Sequence, residues 1–420
     1  MSGHRLPAAA RVVVAALLAG ALVACEQRAT PPIVDDDRHS RPGTLVIWAD
    51  DDRVKALRPF AEQFAARHGI HVEFDGAATA DDRRYDFLAA VRAGKGPDLF
   101  LGEHSFTGEF VAAKAVVPIE LPEPVRAGFE PLSIRAGTYD GQLYLLPHGF
   151  SSVVLYRDTR LVPEAPATIE DLVAAGRRVV TAGQASEILG LPVGESGDLE
   201  HVYPLYTSAG GYLFAAKDDG TADPAQPALG TPASVAAFRR LAELGETGSG
   251  ALQRYLDLGK VSGTVAGGRV PMVALHPFMM ELVRPLTQAT WAASPVPGFA
   301  GGRPARPLVR VQGFYLSSAA KNRDLAEQFL LEVAATVEVQ HALYAAWPMV
   351  PALATAIDVV VRADPDMLAV LDVARTGELV PSIPQMRKVW TPFGKAEAEV
   401  VGGGDPAKAV ADAAASVGSG

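Results

Sequence analysis

Between Leu45 and Leu101 the chain alternates short apolar runs with stretches of helical period, and this alternation restricts the possible folds more than any other feature. Leu45-Val46-Ile47-Trp48 is too short for a helix and suits a buried strand. Leu57, Phe60, Ala61 and Phe64 then recur at three- and four-residue spacing, the period of one helix face. Arg67-His68-Gly69 closes that helix, because glycine adopts the left-handed cap without a Cβ penalty. Ile70-His71-Val72-Glu73-Phe74 alternates as a second strand. Tyr85 to Ala93 is helical, Gly94-Lys95-Gly96-Pro97 breaks it, and Asp98-Leu99-Phe100-Leu101 is a third strand. Strands joined through helices pair in parallel by crossover rather than as hairpins. The expected class is α/β, a parallel sheet with helices on its faces.

The following segments change in texture. Tyr139-Asp140-Gly141-Gln142 reads as a turn, and Leu143 to Pro147 and Val153 to Tyr156 as strands. Thr168 is placed to N-cap a helix, with Asp171 at its third position. Helices are expected around Tyr203–Ser208, Ser234–Leu244 and Leu252–Asp257, and a strand over Val270–Leu275. Asp324 to Ala335 is amphipathic, with Ala326, Phe329, Leu330 and Val333 on one face. No repeat of fixed period is present.

The first 42 residues read differently. Arg5 and Arg11 precede an apolar run, Val12 to Ala24, that is shorter than a bilayer span. It ends in Leu22-Val23-Ala24-Cys25, the form of a bacterial lipobox, and Cys25 is the one cysteine in the chain. In this reading residues 1–25 hold a lipoprotein signal, and Cys25 is acylated and becomes the first mature residue. The alternative is a plain secretory signal ending beside a cysteine. Residues 26–42 are polar and proline-bearing and are expected to form a flexible tether. A single cysteine excludes an intrachain disulfide and a thiolate metal site. The remaining body is long enough for two lobes, each with its own core. A net charge of −10 without a basic stripe argues against a nucleic-acid partner.

Patterns for catalysis are missing. No serine lies in a Gly-x-Ser-x-Gly elbow; Ser196 sits between Glu195 and Gly197 in a loop. Gly94-Lys95-Gly96 lacks the rest of a phosphate loop. His68 and His71 straddle a helix end, so they read as a cap and a strand residue rather than a zinc pair. A glycosidase needs two opposed carboxylates. Asp51, Glu103 and Glu200 are available, but abundance of acids is not a pattern. The chain is therefore read as a binding protein with no catalytic residue, metal or cofactor.

Several segments, spread from about residue 43 to 400, together resemble the maltose/maltodextrin-binding branch of the ABC-transporter solute-binding proteins. They are Leu45-Val46-Ile47-Trp48 with Gly69-Ile70-His71-Val72, and Gly96-Pro97-Asp98 with His104 and Gly108. Tyr139-Asp140-Gly141 with Leu143, Pro147 and Leu155-Tyr156-Arg157-Asp158 follow, then Ala209-Gly210-Gly211-Tyr212. The last and most specific is Gly377-Glu378-Leu379-Val380-Pro381-Ser382-Ile383-Pro384-Gln385-Met386 with Trp390. The resemblance implies a two-lobed periplasmic-binding-protein-like type II fold, with a hinge and an interlobe ligand cleft. Lobe 1 is expected to comprise 43–150 and 309–355, lobe 2 151–308 and 356–420. The hinge crossings fall near Pro147–Val153 and Leu308–Gly313. The implied protein is a monomer, lipid-anchored outside a bacterial membrane, that hands an oligosaccharide to the permease of an ABC importer.

Sugars are held by aromatic rings against their C–H faces and by acids, amides and guanidinium groups on their hydroxyls. By resemblance Trp390, Phe278 and Tyr203 are the stacking candidates, each with a core aromatic as the alternative. Asp51, Asp52 and Arg53 follow the first strand, where the family places a charged sugar-binding pair; a solvated helix N-terminus is the alternative. Glu103, His104 and Ser105 follow the third strand, at the carboxyl edge where open α/β sheets bind ligands. Glu200 lies near acidic and aromatic positions of the second lobe, and Ser151 replaces an acid at the hinge. Gly102, Ser105 and Phe106 stand where a maltose-binding relative has a tryptophan, an acid and an arginine. These departures leave open another α-glucoside, such as trehalose or a branched glucan fragment. A secreted glycoside hydrolase and a structural surface lipoprotein are the other classes considered.

Overall fold

The computed structural model describes residues 38–77, 80–218 and 220–418. Cys25, the signal reading over residues 1–25 and the tether up to residue 37 lie outside them. Residues 38–42, expected at the end of that tether, are instead fastened to the sheet. Ser40 N–H donates to the Gly96 carbonyl at 2.6 Å, Ser40 Oγ donates to Asp98 at 2.5 Å, and Trp48 Nε1 donates to the Arg38 carbonyl at 2.7 Å. Asp98 is fully buried, and Ser40 Oγ joins the Val46 and Asn322 N–H groups in satisfying its carboxylate, which ties this segment to the sheet.

The opening pattern folds as its periodicities dictate. Strand β1 (Thr44–Asp50), helix α1 (Asp51–His68), strand β2 (His71–Ala77), helix α2 (Ala80–Arg92) and strand β3 (Leu99–Glu103) follow one another. Asp50 caps α1 by accepting from Arg53 N–H, and Gly69 ends it at φ 64°. Strand β1 pairs in parallel with both β2 and β3.

Next come β4 (Val116–Val117), β5 (Leu145–Ser152), β6 (Val154–Asp158), α3 (Ile169–Thr181) and α4 (Leu199–Ser208). Thr168 caps α3, accepting from Asp171 N–H at 3.1 Å and donating to the Asp171 carboxylate at 2.8 Å. Residues 252–257, expected as a helix, form turns instead. Asp257 there accepts from Lys260 N–H and starts the following helix, while Leu252 and Leu256 are fully buried. Then come β7 (Met272–Leu275), α5 (Pro277–Val283), β8 (Trp291–Ser294) and β9 (Leu308–Ser317). The amphipathic stretch is an α-helix over Arg323–Phe329 that widens into a π segment, Leu330–Ala334. The last elements needed here are α6 (Val337–Ala346), β10 (Val350–Pro351), β11 (Glu378–Leu379) and α7 (Arg387–Val401).

The larger sheet has the order β10-β5-β9-β3-β1-β2, with β4 and β11 also on β9. It is mixed, because β9 runs antiparallel to β3 and β5. The smaller sheet, β7-β6-β8, is antiparallel. The chain passes from the larger to the smaller at Val153, between β5 and β6.

Burial along β9 shows where the site lies. Side chains alternate across a strand. On one face Val309, Val311 and Tyr315 join a core shared with Phe150, Val154 and Tyr156. On the other, Leu308 belongs to a core drawn from residues 153–308 and 380–413, while Phe314 and Leu316 belong to one drawn from 45–146 and 314–356. The two residues between them, Arg310 and Gln312, are polar. Strand β5 and the residue after it repeat this, with His148 and Ser151 lying in sequence between Leu146 of one core and Val153 of the other. The apolar interior is thus continuous on one side of these strands and interrupted on the other.

Candidate ligand-binding site

Arg310 stands at that interruption. Its guanidinium grips the Glu200 carboxylate through Nε and Nη2, the latter at 2.7 Å, and Nη1 donates to Glu103. Glu103 ends β3, so the carboxyl edge of the sheet delivers it; its other oxygen accepts from Ser105 Oγ at 2.6 Å. Glu200 lies in the first turn of α4, a helix that Asp198 caps by accepting from His201 N–H at 3.2 Å. One arginine thus ties a strand end of the larger sheet to a helix built on the other core. The Trp390 ring, half-buried on α7, lies 5.5 Å from the guanidinium, with a small pocket beside it lined by Arg84, Ser105, Glu109, Ile383 and Arg387.

Glu200 also contacts His276, the residue after β7. His276 Nε2 is 2.9 Å from Glu200 Oε1, and Nδ1 is 2.9 Å from Ser151 Oγ. With Nε2–H donating to the carboxylate, Nδ1 is left to accept the Ser151 hydroxyl. Burial pulls the His276 pKa down despite the carboxylate beside it. Burial alone would raise Glu200, but Arg310 and His276 override it and hold the carboxyl well below its ordinary range.

An aromatic row starts at the same histidine. Phe278 stacks on His276 at 5.3 Å between centroids, and Trp347 stacks on Phe278 at 4.6 Å and 23°. Phe278 comes from α5 after the smaller sheet, Trp347 from the end of α6. The Arg53 guanidinium lies 5.4 Å from the Trp347 centroid, pairs with Asp50, and reaches Met349 Sδ at 3.9 Å. Arg53 is buried although it sits in the first turn of α1. Trp347, Phe278 and Trp390 are each only half-buried.

Seven of the residues singled out from sequence therefore meet around this interruption: Arg53, Glu103, Ser105, Ser151, Glu200, Phe278 and Trp390. Four do not. Asp51 and Asp52 are exposed at the start of α1, with Asp52 paired to Lys55 at 3.0 Å. His104 is fully buried and its ring bridges backbone, with Nδ1 accepting from Val311 N–H at 3.1 Å and Nε2 3.0 Å from the Val380 carbonyl. Tyr203 is fully buried in a core, and its hydroxyl donates to Glu378 at 2.6 Å. The sequence reading passed over Arg310, His276, Trp347, His148 and Gln312. Only for Arg310 and Gln312 was there a signal: polar residues alternating with valines inside a strand at an expected hinge.

The arrangement offers planar ionic groups for hydroxyls and half-open rings for C–H faces. A Glu200 held ionised cannot act as the protonated acid a glycosidase needs. Among the described residues no group of three or more His, Cys, Asp or Glu side chains is disposed to hold a metal. Nor is any helix among them long and apolar enough to cross a membrane.

Comparison with known proteins gives a consistent picture. The pattern of a family described as bacterial extracellular solute-binding protein matches residues 60–369. A galactooligosaccharide-binding protein of Bacillus subtilis is 22% identical over 393 residues, covering 89% of each chain. A maltotriose-binding protein of Pyrococcus abyssi is 23% identical over 360 residues, 83% of this chain and 75% of its own. A maltooligosaccharide ABC transporter solute-binding lipoprotein of Streptococcus pneumoniae is 21% identical over 426 residues, 98% and 96%.

Proposed function

The chain belongs to the bacterial extracellular solute-binding protein family, and from that premise we propose that it is the substrate-binding lipoprotein of an ABC sugar importer. It takes a maltose- or maltodextrin-like oligosaccharide into a cleft between two lobes and delivers it to the permease. Cys25 anchors it to the outer face of the cell membrane, and the lobes are 43–150 with 309–355 and 151–308 with 356–420. It works as a monomer and without catalysis.

The observation that carries this reading is the convergence of half-open rings and paired ionic groups where two cores part. Trp390 and the half-buried Phe278–Trp347 stack offer apolar surface, while Glu103, Glu200 and Arg310 offer acceptors and donors in planar pairs. The division into lobes draws on the two cores and their separate stretches of chain. The relatives' names point to oligosaccharides but to different ones, so another α-glucoside such as trehalose is the second reading, favoured by Gly102, Ser105 and Ser151.

A thermal-shift screen tests it, because a ligand that binds only the native state raises the melting temperature. The purified protein is exposed to maltose, maltotriose, trehalose, sucrose, cellobiose and a galactooligosaccharide. Stabilisation by maltotriose over cellobiose is expected. No shift with any of them at millimolar concentration refutes the sugar reading.

A further inference from the structure

Three buried polar atoms near the larger-sheet end of the site have no hydrogen-bond partner in the protein: Arg53 Nε, His148 Nε2 and Gln312 Oε1. They come from three elements, α1, β5 and β9, and local geometry brings them together. Strand β9 pairs Gln312 with Gly149 and then Gly313 with Pro147, so His148 is the extra residue of a β-bulge. Bulges redirect a side chain that regular pairing would place elsewhere. The His148 ring lies 6.1 Å from Phe314, on the same face of β9 as Gln312. A Cβ on Gly149 would stand 3.3 Å from Met349 Cβ, and Met349 is the residue Arg53 reaches. Arg53 and His148 are each 3% exposed, too buried for bulk water to satisfy them.

Buried polar groups in native proteins are nearly always paired, because each orphan costs roughly 1–3 kcal/mol. Three around one bulge, beside the half-open Trp347 ring, call for a partner that the chain does not supply. Its chemistry follows from theirs. Arg53 Nε is a donor, Gln312 Oε1 an acceptor, and a neutral imidazole nitrogen can be either. The Arg53 charge is matched by Asp50. Burial, with the Arg53 charge beside it, pushes the His148 pKa well down, so the ring is neutral. The locale thus carries no net charge while offering mixed donors and acceptors.

We infer that Arg53, His148 and Gln312, with Trp347, form a subsite for an uncharged, hydroxyl-rich end ring of the ligand. Donor and acceptor together suit a hydroxyl, which is both. A phosphorylated or carboxylated ring would bring an anion to groups whose one positive charge is already taken. The subsite is separate from the Arg310 cluster but lies next to it along β9, two residues on, so one oligosaccharide can reach both. The inference rests on the sugar-binding reading above.

The test is calorimetric titration of the full protein with maltose and trehalose, each beside its 6-phosphate. Wild type is expected to bind one of the unphosphorylated sugars at least tenfold more tightly than its phosphate. His148→Leu and Gln312→Leu should each weaken that sugar by about 3- to 10-fold, the worth of one hydrogen bond. His148→Gln, which keeps a donor and an acceptor, should recover most of the affinity. Gln312 is only half-buried, so its variant remains informative if His148→Leu fails to fold. Sugar binding by wild type with unchanged affinity in both leucine variants overturns the subsite alone. Equal binding of the phosphate overturns the assignment to an uncharged ring. No binding of either sugar by wild type overturns this inference, and it refutes the sugar reading as well only where the thermal-shift screen is also negative.

Discussion

Replacing Arg310 by methionine removes one cation from between two carboxylates while keeping much of its volume. Glu103 and Glu200 side chains are 7% and 14% exposed and Arg310 is 26% exposed. Breaking a buried pair from one side costs roughly 3–5 kcal/mol, because the partner charge stays behind without compensation. The partial exposure of Arg310 lets water screen some of that, so a loss of about 2–4 kcal/mol is expected. In a body of this size, with an unfolding entropy of about 0.8 kcal/mol/K, that lowers the melting temperature by about 2–5 °C. The pH dependence supplies a second signature. Arg310 and His276 depress the Glu200 pKa below its ordinary 4.5. A depressed carboxyl pKa contributes stability that is fully present above the ordinary value and is lost as pH falls through the folded one. Urea unfolding should therefore show the gap between wild type and Arg310→Met widest at neutral pH and closing below 4.5. Adding Glu103→Gln and Glu200→Gln to the variant should restore most of the loss, since no charge is then stranded. An Arg310→Met protein as stable as wild type at pH 7 would show that the cluster is solvated, and the account of a desolvated site floor would fail.

Three further outcomes are expected. Trp390→Ala should weaken sugar binding by about 5- to 150-fold, equal to roughly 1–3 kcal/mol of lost stacking, and abolish most of the ligand-induced fluorescence change; unchanged affinity with a large loss of stability in a denaturant melt would mark it as a core residue. Glu397 is fully buried, its carboxyl accepts from Asp198 N–H at 2.8 Å, and burial with Asp198 nearby holds its pKa well above 4.5. A raised carboxyl pKa costs stability as pH climbs from the ordinary value through the folded one, so Glu397→Gln should gain on wild type between pH 5 and pH 8 in urea midpoints, and parallel curves would contradict it. Cys25→Ser should release the protein from the membrane fraction or leave the signal uncleaved, and a cleaved serine variant that stays with membranes would exclude the lipid anchor.

Much of the fold was legible because its causes are local. The first five elements follow from side-chain periodicity, Gly69 from its left-handed cap, and α3 from the Thr168–Asp171 capping box. Part of the candidate site was legible for a related reason: Arg53, Glu103 and Ser105 stand at the carboxyl ends of β1 and β3, which pair in parallel and so end on one edge. Where a local signal misled, a distant contact was responsible. Residues 38–42 are held by the buried Asp98, and Leu252 and Leu256 are turned inward by a core rather than wound into a helix. Tyr203 and Glu200 sit three residues apart on one helix, yet one ring is sealed in a core and the other side chain reaches the site. Composition carries nothing that separates those two fates.

What the sequence determined by itself was an α/β body behind an N-terminal apolar segment and a lone cysteine, with acids at strand ends and a tryptophan near its C-terminus. The tertiary structure alone decided which of these meet. Arg310 bridges residues 103 and 200, Phe278 lies on Trp347, and a one-residue bulge sets the His148 ring beside Phe314. The physical reason is that strand and helix periods act over a few residues, whereas ion pairing, ring stacking and register shifts join residues tens to hundreds of positions apart.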